Sequence, residues 1–245
     1  MEQVLWFGWF RADIISQYAG LFWQGLQMTI VITLICIVQG TALGLAVGLA
    51  GLAEARRAPA KQLYKYLLRW PAMVFVSFFR GTPLFVQILL IHFAVLPLFI
   101  NQTDGLLISG DLARNIKQNY GAFLSGVVAL TLNAGAYISE IFRAGIQSID
   151  RGQVEASRSL GMSYPRTMYH IVLPQAFRRM LPPLGNNAIA LLKDSSLVSA
   201  IGLAGAYSRY WEPYLTISLM YWVLTLGLAY GIQKLEDRYG RGDSR

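Results

Sequence analysis

Glu155-Ala156-Ser157-Arg158-Ser159-Leu160-Gly161 and, nine residues on, Ile171-Val172-Leu173-Pro174 lie in a polar, basic gap between long apolar runs. The gap reads as a helix, a glycine break and a second helix. Asp150 is placed to cap the first helix, and Gln153, three residues later, completes a capping-box pattern. Gly161 supplies the left-handed residue that ends it. Ser163 is a cap for the second helix, and Pro165 fits its first turn, where a missing N–H costs little. A capped pair of short helices between membrane spans is a rigid projection that a partner can grip.

The rest of the chain supplies the spans. Of its 245 residues, 55% are hydrophobic and 14% charged, where a soluble domain carries about 25% charged residues. Several apolar runs reach or approach the ~20 residues that cross a bilayer. The expected fold class is an all-α integral membrane domain of about five transmembrane helices. The formal charge of +8 could suit nucleic acid, but its distribution argues otherwise. Fifteen of the 21 Lys and Arg fall in segments 54–69, 143–179 and 234–245. That is the positive-inside signal of a membrane protein. It places the N-terminus outside, the C-terminus inside and an odd number of spans between, most simply five. The single Cys36, with only His92 and His170 elsewhere, builds neither an internal disulfide nor a metal cluster, so no cofactor is expected. Glu2 and the absence of a basic start argue against a cleaved leader.

In order, residues 4–18 hold Trp6, Phe7, Trp9 and Phe10 and read as a helix lying at the membrane surface. Residues 21–53 form the first span. Gly40, Gly44 and Gly48 recur every fourth residue there, a face on which another helix can approach closely. The region 61–100 is too long for one span: residues 63–100 as one helix would extend about 57 Å at 1.5 Å per residue. Gly81 and Pro83 are its natural break, with Arg80 beside them. Asn101 to Tyr120 reads as an external loop and 121–146 as the third span. Residues 150–174 are the cytoplasmic projection. Residues 178–207 read as a broken fourth span interrupted at Lys193-Asp194-Ser195-Ser196, and 214–236 as the last.

No phosphate-binding Gly-x-x-x-x-Gly-Lys-Ser/Thr loop is present, nor a Gly-x-Ser-x-Gly or His-Glu-x-x-His arrangement, so no enzyme is expected. The chemistry lies in the intramembrane charges. An ionisable group in hydrocarbon costs at least about 2.5–3.5 kcal/mol on insertion scales, so it faces a cavity, a partner or a solute path. Broken helices build such paths at mid-membrane. A zwitterionic amino acid needs cationic donors for its carboxylate and acceptors for its ammonium. Arg80 suits the first; Glu140 or Asp194 suits the second. Thr82, Gln87, Asn133, Tyr137 and Ser195 are neutral candidates, and Asn133, Tyr137 and Glu140 share one helix face. Equally, Arg80 and Glu140 could neutralise each other and hold two helices together. Lys193-Asp194 reads more readily as a polar brace or a gate hinge.

Glu-Ala-Ser, three residues, Gly, nine residues, Ile-x-Leu-Pro resembles the EAA loop of bacterial ABC importer permeases. Gly25-Leu26-Gln27-Met28-Thr29, Phe79-Arg80-Gly81-Thr82-Pro83-Leu84, Gly135-Ala136-Tyr137-Ile138-Ser139-Glu140, Arg143-Ala144-Gly145-Ile146 and Lys193-Asp194-Ser195-Ser196-Leu197 narrow the resemblance to the polar amino acid permeases of the histidine/glutamine/arginine type. It runs from about Gly25 to the end of the last apolar run. Ser157 departs from the pattern, where the loop often has a second, equally small Ala. The resemblance implies a type I importer permease in the cytoplasmic (inner) membrane, moving a polar amino acid, or a related compound such as an opine, from periplasm to cytoplasm. It implies that Glu155, Ala156, Gly161 and Pro165 dock on a cytoplasmic ABC ATPase dimer. It also implies a second permease subunit, identical or paralogous, a substrate-binding protein outside, and membrane lipid around, with no nucleic acid. The alternative is an ion- or proton-coupled secondary transporter using Glu140 and Asp194 as relay carboxylates.

Overall fold

The computed structural model describes residues 5–6, 10–52, 63, 65–198 and 211–240. Within them the fold is all-α apart from one two-residue strand pairing and an isolated bridge between Ile100 and Ile108. Leu5–Trp6 lies antiparallel to Phe10–Arg11, and helix α1 (Ala12–Gln17) follows. The helix expected over 4–18 is therefore confined to its second half.

Helix α2 (Ala19–Leu52) has 34 residues. After a π-helical turn at Lys65–Arg69, α3 (Trp70–Gly81) runs to the expected break. Thr82 and Pro83 are extended, Pro83 at φ −63° and ψ 132°, and α4 (Leu84–Leu90) begins there. It continues through a π turn, Ile91–Val95, to a last turn, Leu96–Phe99. The two halves of this broken rod, Tyr66–Gly81 and Leu84–Phe99, bend by 109°. Proline fixes its own φ and lacks an N–H, and it disfavours helix at the residue before it, so the break falls at Thr82-Pro83.

Helix α5 (Gly110–Gln147) has 38 residues, about 57 Å at the helical rise. It corrects the loop expected over 101–120, because the connection is only Ile100–Ser109. The stretch Asp111 to Asn119 is polar by composition, but it has no Pro and includes the helix formers Leu112, Ala113, Arg114, Lys117 and Gln118. Asp111 lies in the first turn, where the helix end is positive, and Ala113 is buried.

The projection comprises α6 (Arg151–Ser159), α7 (Tyr164–Thr167) and a π turn, Met168–Val172. It leads into α8 (Leu173–Asp194), then a 3-10 turn, Ser195–Val198. The final helix, α9 (Trp211–Gly240), has 30 residues. The expected resumption of the fourth span over 197–207 falls, beyond Val198, outside the described residues. Of the described helices, Ala19–Gly51 and Gly110–Gln147 are long and apolar enough to cross a membrane, and the bent pair makes a third, broken candidate.

The main packing unit is α2 along α5. A Cβ on Gly40 would come 2.8 Å from Ala134 Cβ, and one on Gly44 would come 2.7 Å from Ile138 Cγ2 and 3.0 Å from the Gly135 carbonyl. The four-residue spacing thus brings two backbones together within the same chain, the close approach that stabilises helix pairs in lipid. Around this seam Ile32, Cys36, Ile88, Ile91, Ala129, Leu130, Ala134, Ile138, Leu191 and Val198 form one buried cluster. Large apolar side chains such as Leu34, Val38, Phe93 and Trp222 are exposed on the outside, as a lipid-facing surface requires. A second cluster, Ile149, Val172, Ala176 and Met180, with Ile146, Val154 and Met168 packed on it, fastens the projection to α5 and α8.

Candidate functional site

The break between α3 and α4 exposes carbonyls that have lost their helical partners. Gln87 meets them. Its Nε2 lies 2.9 Å from the Phe79 carbonyl, 3.0 Å from the Thr82 carbonyl and 2.8 Å from Thr82 Oγ1. Asn133 Nδ2, from α5, donates to the Phe79 carbonyl and to Gln87 Oε1, each at 3.1 Å. Thr82 Oγ1 donates to the Phe78 carbonyl at 2.8 Å. Gln87 and Asn133 are both buried. Their hydrogen-bonding capacity is largely used in fixing the bend and locking it to α5.

Beside this lock lie the charges. Arg80, in the last turn of α3, reaches Glu140 of α5 at 3.5 Å and has its guanidinium carbon 5.3 Å from the centre of the Tyr137 ring. Glu140 is held more tightly by Arg143, with Nε to Oε1 at 3.1 Å and Nη2 to Oε2 at 2.6 Å. Arg143 Nη1 also donates to Gln147 Oε1 at 2.7 Å. Two guanidiniums thus face one carboxylate, and the cluster carries an excess positive charge. The Arg80 and Arg143 side chains remain 43% and 42% exposed. From sequence, Arg143 is a basic residue at the inner end of a span and the first of the Arg143-Ala144-Gly145-Ile146 motif, not a member of the charge cluster. The signal that could have found it is the i, i+3 spacing to Glu140 and i, i+4 to Gln147.

Asp194 and Ser195 belong to a different place. Buried Ser195 donates to the Leu192 carbonyl at 2.6 Å and meets Tyr221 Oη at 3.2 Å; Tyr221 in turn meets Thr29 Oγ1 at 3.2 Å. This hydroxyl chain joins α2, the end of α8 and α9. Among the described residues, no hydrogen bond or ion pair links Asp194 to the Arg80–Glu140–Arg143 cluster.

The projection takes the expected form with two differences of detail. Asp150 caps α6, its Oδ1 accepting from the Gly152 N–H at 2.6 Å. The Gln153 side chain does not turn back to complete the box, but accepts from Gln175 Nε2 of α8 at 3.0 Å. Gly161 has φ 83°. Its N–H bonds the Arg158 carbonyl, and the Met162 N–H bonds the Ser157 carbonyl at 3.1 Å, the paired pattern of a Schellman ending. Ser163 stands at the cap of α7 without a side-chain capping bond, and Pro165 is in its first turn. Arg179 Nη1 donates to the Ser148 carbonyl at 2.6 Å, tying α8 to the turn before α6. Glu155, Ala156, Gly161 and Pro165 lie on the exposed surface, and so does Leu160, at 85% exposed. A fully presented Leu at the tip of a polar knuckle was not singled out from sequence, although its place before Gly161 puts it at the turn.

The chain has wider relatives. Residues 46–235 match the family model described as binding-protein-dependent transport system inner membrane component. The L-cystine transport system permease protein TcyB of Bacillus subtilis is 34% identical over 93% of this chain and 92% of its own. The arginine transport system permease protein ArtQ of the same organism is also 34% identical, over 90% of this chain and 93% of its own. A crystal structure of an amino acid ABC transporter with histidines aligns with TM-score 0.73 and 33% identity, covering 94% of this chain and 99% of that one. The apolar helices, the break locked by Gln87 and the capped knuckle accordingly belong to a multi-pass inner-membrane protein, and the chain is a member of the family of inner-membrane components of binding-protein-dependent transport systems.

Proposed function

We propose that this chain is the permease subunit of an ATP-driven importer for a polar amino acid. The observation that carries the reading is the family match combined with a stiff, exposed knuckle fastened by buried contacts to α5 and α8. Two relatives of equal identity have different amino acids in their names, cystine and arginine, so the shared sequence supports the class of solute and not one member of it. In this reading ATP hydrolysis resides on a separate cytoplasmic ATPase dimer, a second permease copy completes the path, and an external binding protein delivers solute. The chain crosses the membrane five times, with its N-terminus outside and C-terminus inside, α8 and α9 supplying the last two spans.

Arg80 is the group we assign to the solute carboxylate. It sits at a helix break, keeps exposed donors, and belongs to a cluster with one cation in excess; a planar guanidinium binds carboxylate through paired N–H donors. Tyr137 steadies it from the ring face. Glu140 serves chiefly to hold Arg80 and Arg143 in place. Thr82, Gln87 and Asn133 act on the path by fixing the bend. Ser195 braces the end of α8 against α2 and α9. Glu155, Ala156, Gly161 and Pro165, with Leu160, form the surface offered to the ATPase.

An ion-coupled secondary transporter finds no support in these relatives, which are named as permease proteins of transport systems and, for the solved structure, as an amino acid ABC transporter. The test is uptake into proteoliposomes holding this chain with its ATPase and binding protein. ATP-dependent accumulation is expected. Uptake by the chain alone, abolished by collapsing an ion gradient, would overturn the reading.

A further inference from the structure

We propose that the buried Ser157–Thr167 hydroxyl pair is a positioning brace that makes α6 and α7 move as one lever. The two oxygens lie 3.0 Å apart, with Ser157 3% exposed and Thr167 fully buried. Proton accounting fixes the direction of the bond. A serine hydroxyl has one hydrogen, and that of Ser157 goes to the Val154 carbonyl at 2.8 Å. Thr167 is therefore the donor and Ser157 Oγ the acceptor.

Ser157 also holds the turn, since its carbonyl receives the Met162 N–H. One residue thus grips both the glycine turn and the second helix. On the other side, the Thr167 N–H bonds the Ser163 carbonyl, and the π turn Met168–Val172 follows directly and carries Val172 into the buried cluster with Ala176 and Met180. Load applied to α6 reaches α7 through this contact and α8 through the π turn that follows, beside the direct links of Gln153 to Gln175 and of Val154 to the buried cluster. An Ala at 157, equally small, would fill the space but remove the acceptor. The Thr167 hydroxyl would then be buried without a partner, a penalty that exceeds the gain from an ordinary bond.

The direction of the bond makes the two single substitutions unequal. Ser157→Ala strands a buried donor. Thr167→Val removes the donor and leaves Ser157 still bonded to Val154. The double variant, Ser157→Ala with Thr167→Val, strands nothing, and replacing both partners by apolar groups of similar shape is close to neutral. This rests on the projection being the surface that a separate ATPase loads.

The experiment measures two quantities in wild type and the three variants. One is hydrogen exchange of the amides of 163–172 in the purified chain; the other is ATP hydrolysed per solute imported by the reconstituted transporter. Ser157→Ala is expected to speed exchange there by roughly 5–30-fold, the factor that corresponds to one or two kcal/mol, and to raise the ATP cost of import several-fold. Thr167→Val should do much less, and the double variant should return both readouts toward wild type. Equal effects of the two single changes, or no recovery in the double variant, would overturn the brace. Altered exchange with unchanged ATP cost would leave the pair structural only and overturn the lever role. If the wild-type transporter shows no ATP-dependent uptake, the importer reading fails, and the lever role with it; the exchange data then report on the bond alone.

Discussion

Arg80 and Glu140 meet at 3.5 Å between the end of α3 and the C-terminal part of α5, but the carboxylate is already clasped by Arg143 through both oxygens. The pair is therefore not a simple mutual neutralisation. Arg80 is the more loosely paired cation of a three-charge cluster, lies against the Tyr137 ring and keeps 43% of its side chain exposed.

From this, Arg80→Gln should separate function from stability. Exposed ion pairs contribute about 0.2–1 kcal/mol, so the thermal midpoint of the purified chain should move little. Hydrogen bonds to charged groups are worth about 1.5–3 kcal/mol, so KM for uptake should rise roughly 10-fold or more. Equal loss of thermal stability and uptake would instead assign Arg80 to packing.

Gln87→Leu should act the other way. It takes the side-chain donor from the Thr82 carbonyl and leaves the Phe79 carbonyl with Asn133 alone, beside a buried side chain. The cost should be about 1–3 kcal/mol, visible as a lowered unfolding midpoint in detergent before any transport assay.

At the α2–α5 seam, Gly44→Val should block assembly, because its side chain would collide with Ile138 and the Gly135 backbone. Gly51→Ala, where a Cβ meets nothing within 4 Å, should fold normally. Monodispersity after purification distinguishes the two.

Gly161→Val tests the turn. No atom lies within 4 Å of a Cβ there, so the effect comes only from φ 83°. A β-branched residue in the left-handed region costs about 1–2 kcal/mol. Membrane insertion should be intact, while ATP hydrolysis becomes uncoupled from uptake. Gly161→Asn should be milder, since Asn tolerates this conformation.

Much of this architecture was legible in the residues themselves. Gly81 and Pro83 mark the break in a run too long for one span, whereas Pro182 and Pro183 sit inside α8 without breaking it. Gly161 ends a helix by its own φ, and Gly40, Gly44 and Gly48 announce a close helix contact by spacing alone. These are local rules. What sequence could not show depends on partners distant along the chain. Gln87 and Asn133, 46 positions apart, have the side chains of solute contacts, and only the fold shows that they meet each other and the carbonyls of the bend. Gln153 looked like half of a capping box, but tertiary contact with Gln175 won its side chain. The polar composition of 111–119 suits a loop as well as a helix, and the buried Ala113 shows that packing decides for the helix. Asp194 joined the solute path on charge alone, and no described contact brings it to Arg80.

The most direct test of the central claim is the side of the membrane on which the knuckle stands and what covers it. Leu160→Cys places a thiol on its exposed tip, in a chain whose sole native cysteine, Cys36, is fully buried. A membrane-impermeant maleimide should label this cysteine in inside-out vesicles and not in right-side-out ones, and the bound ATPase should protect it. Labelling from the outside, or no protection by the ATPase, would contradict the account.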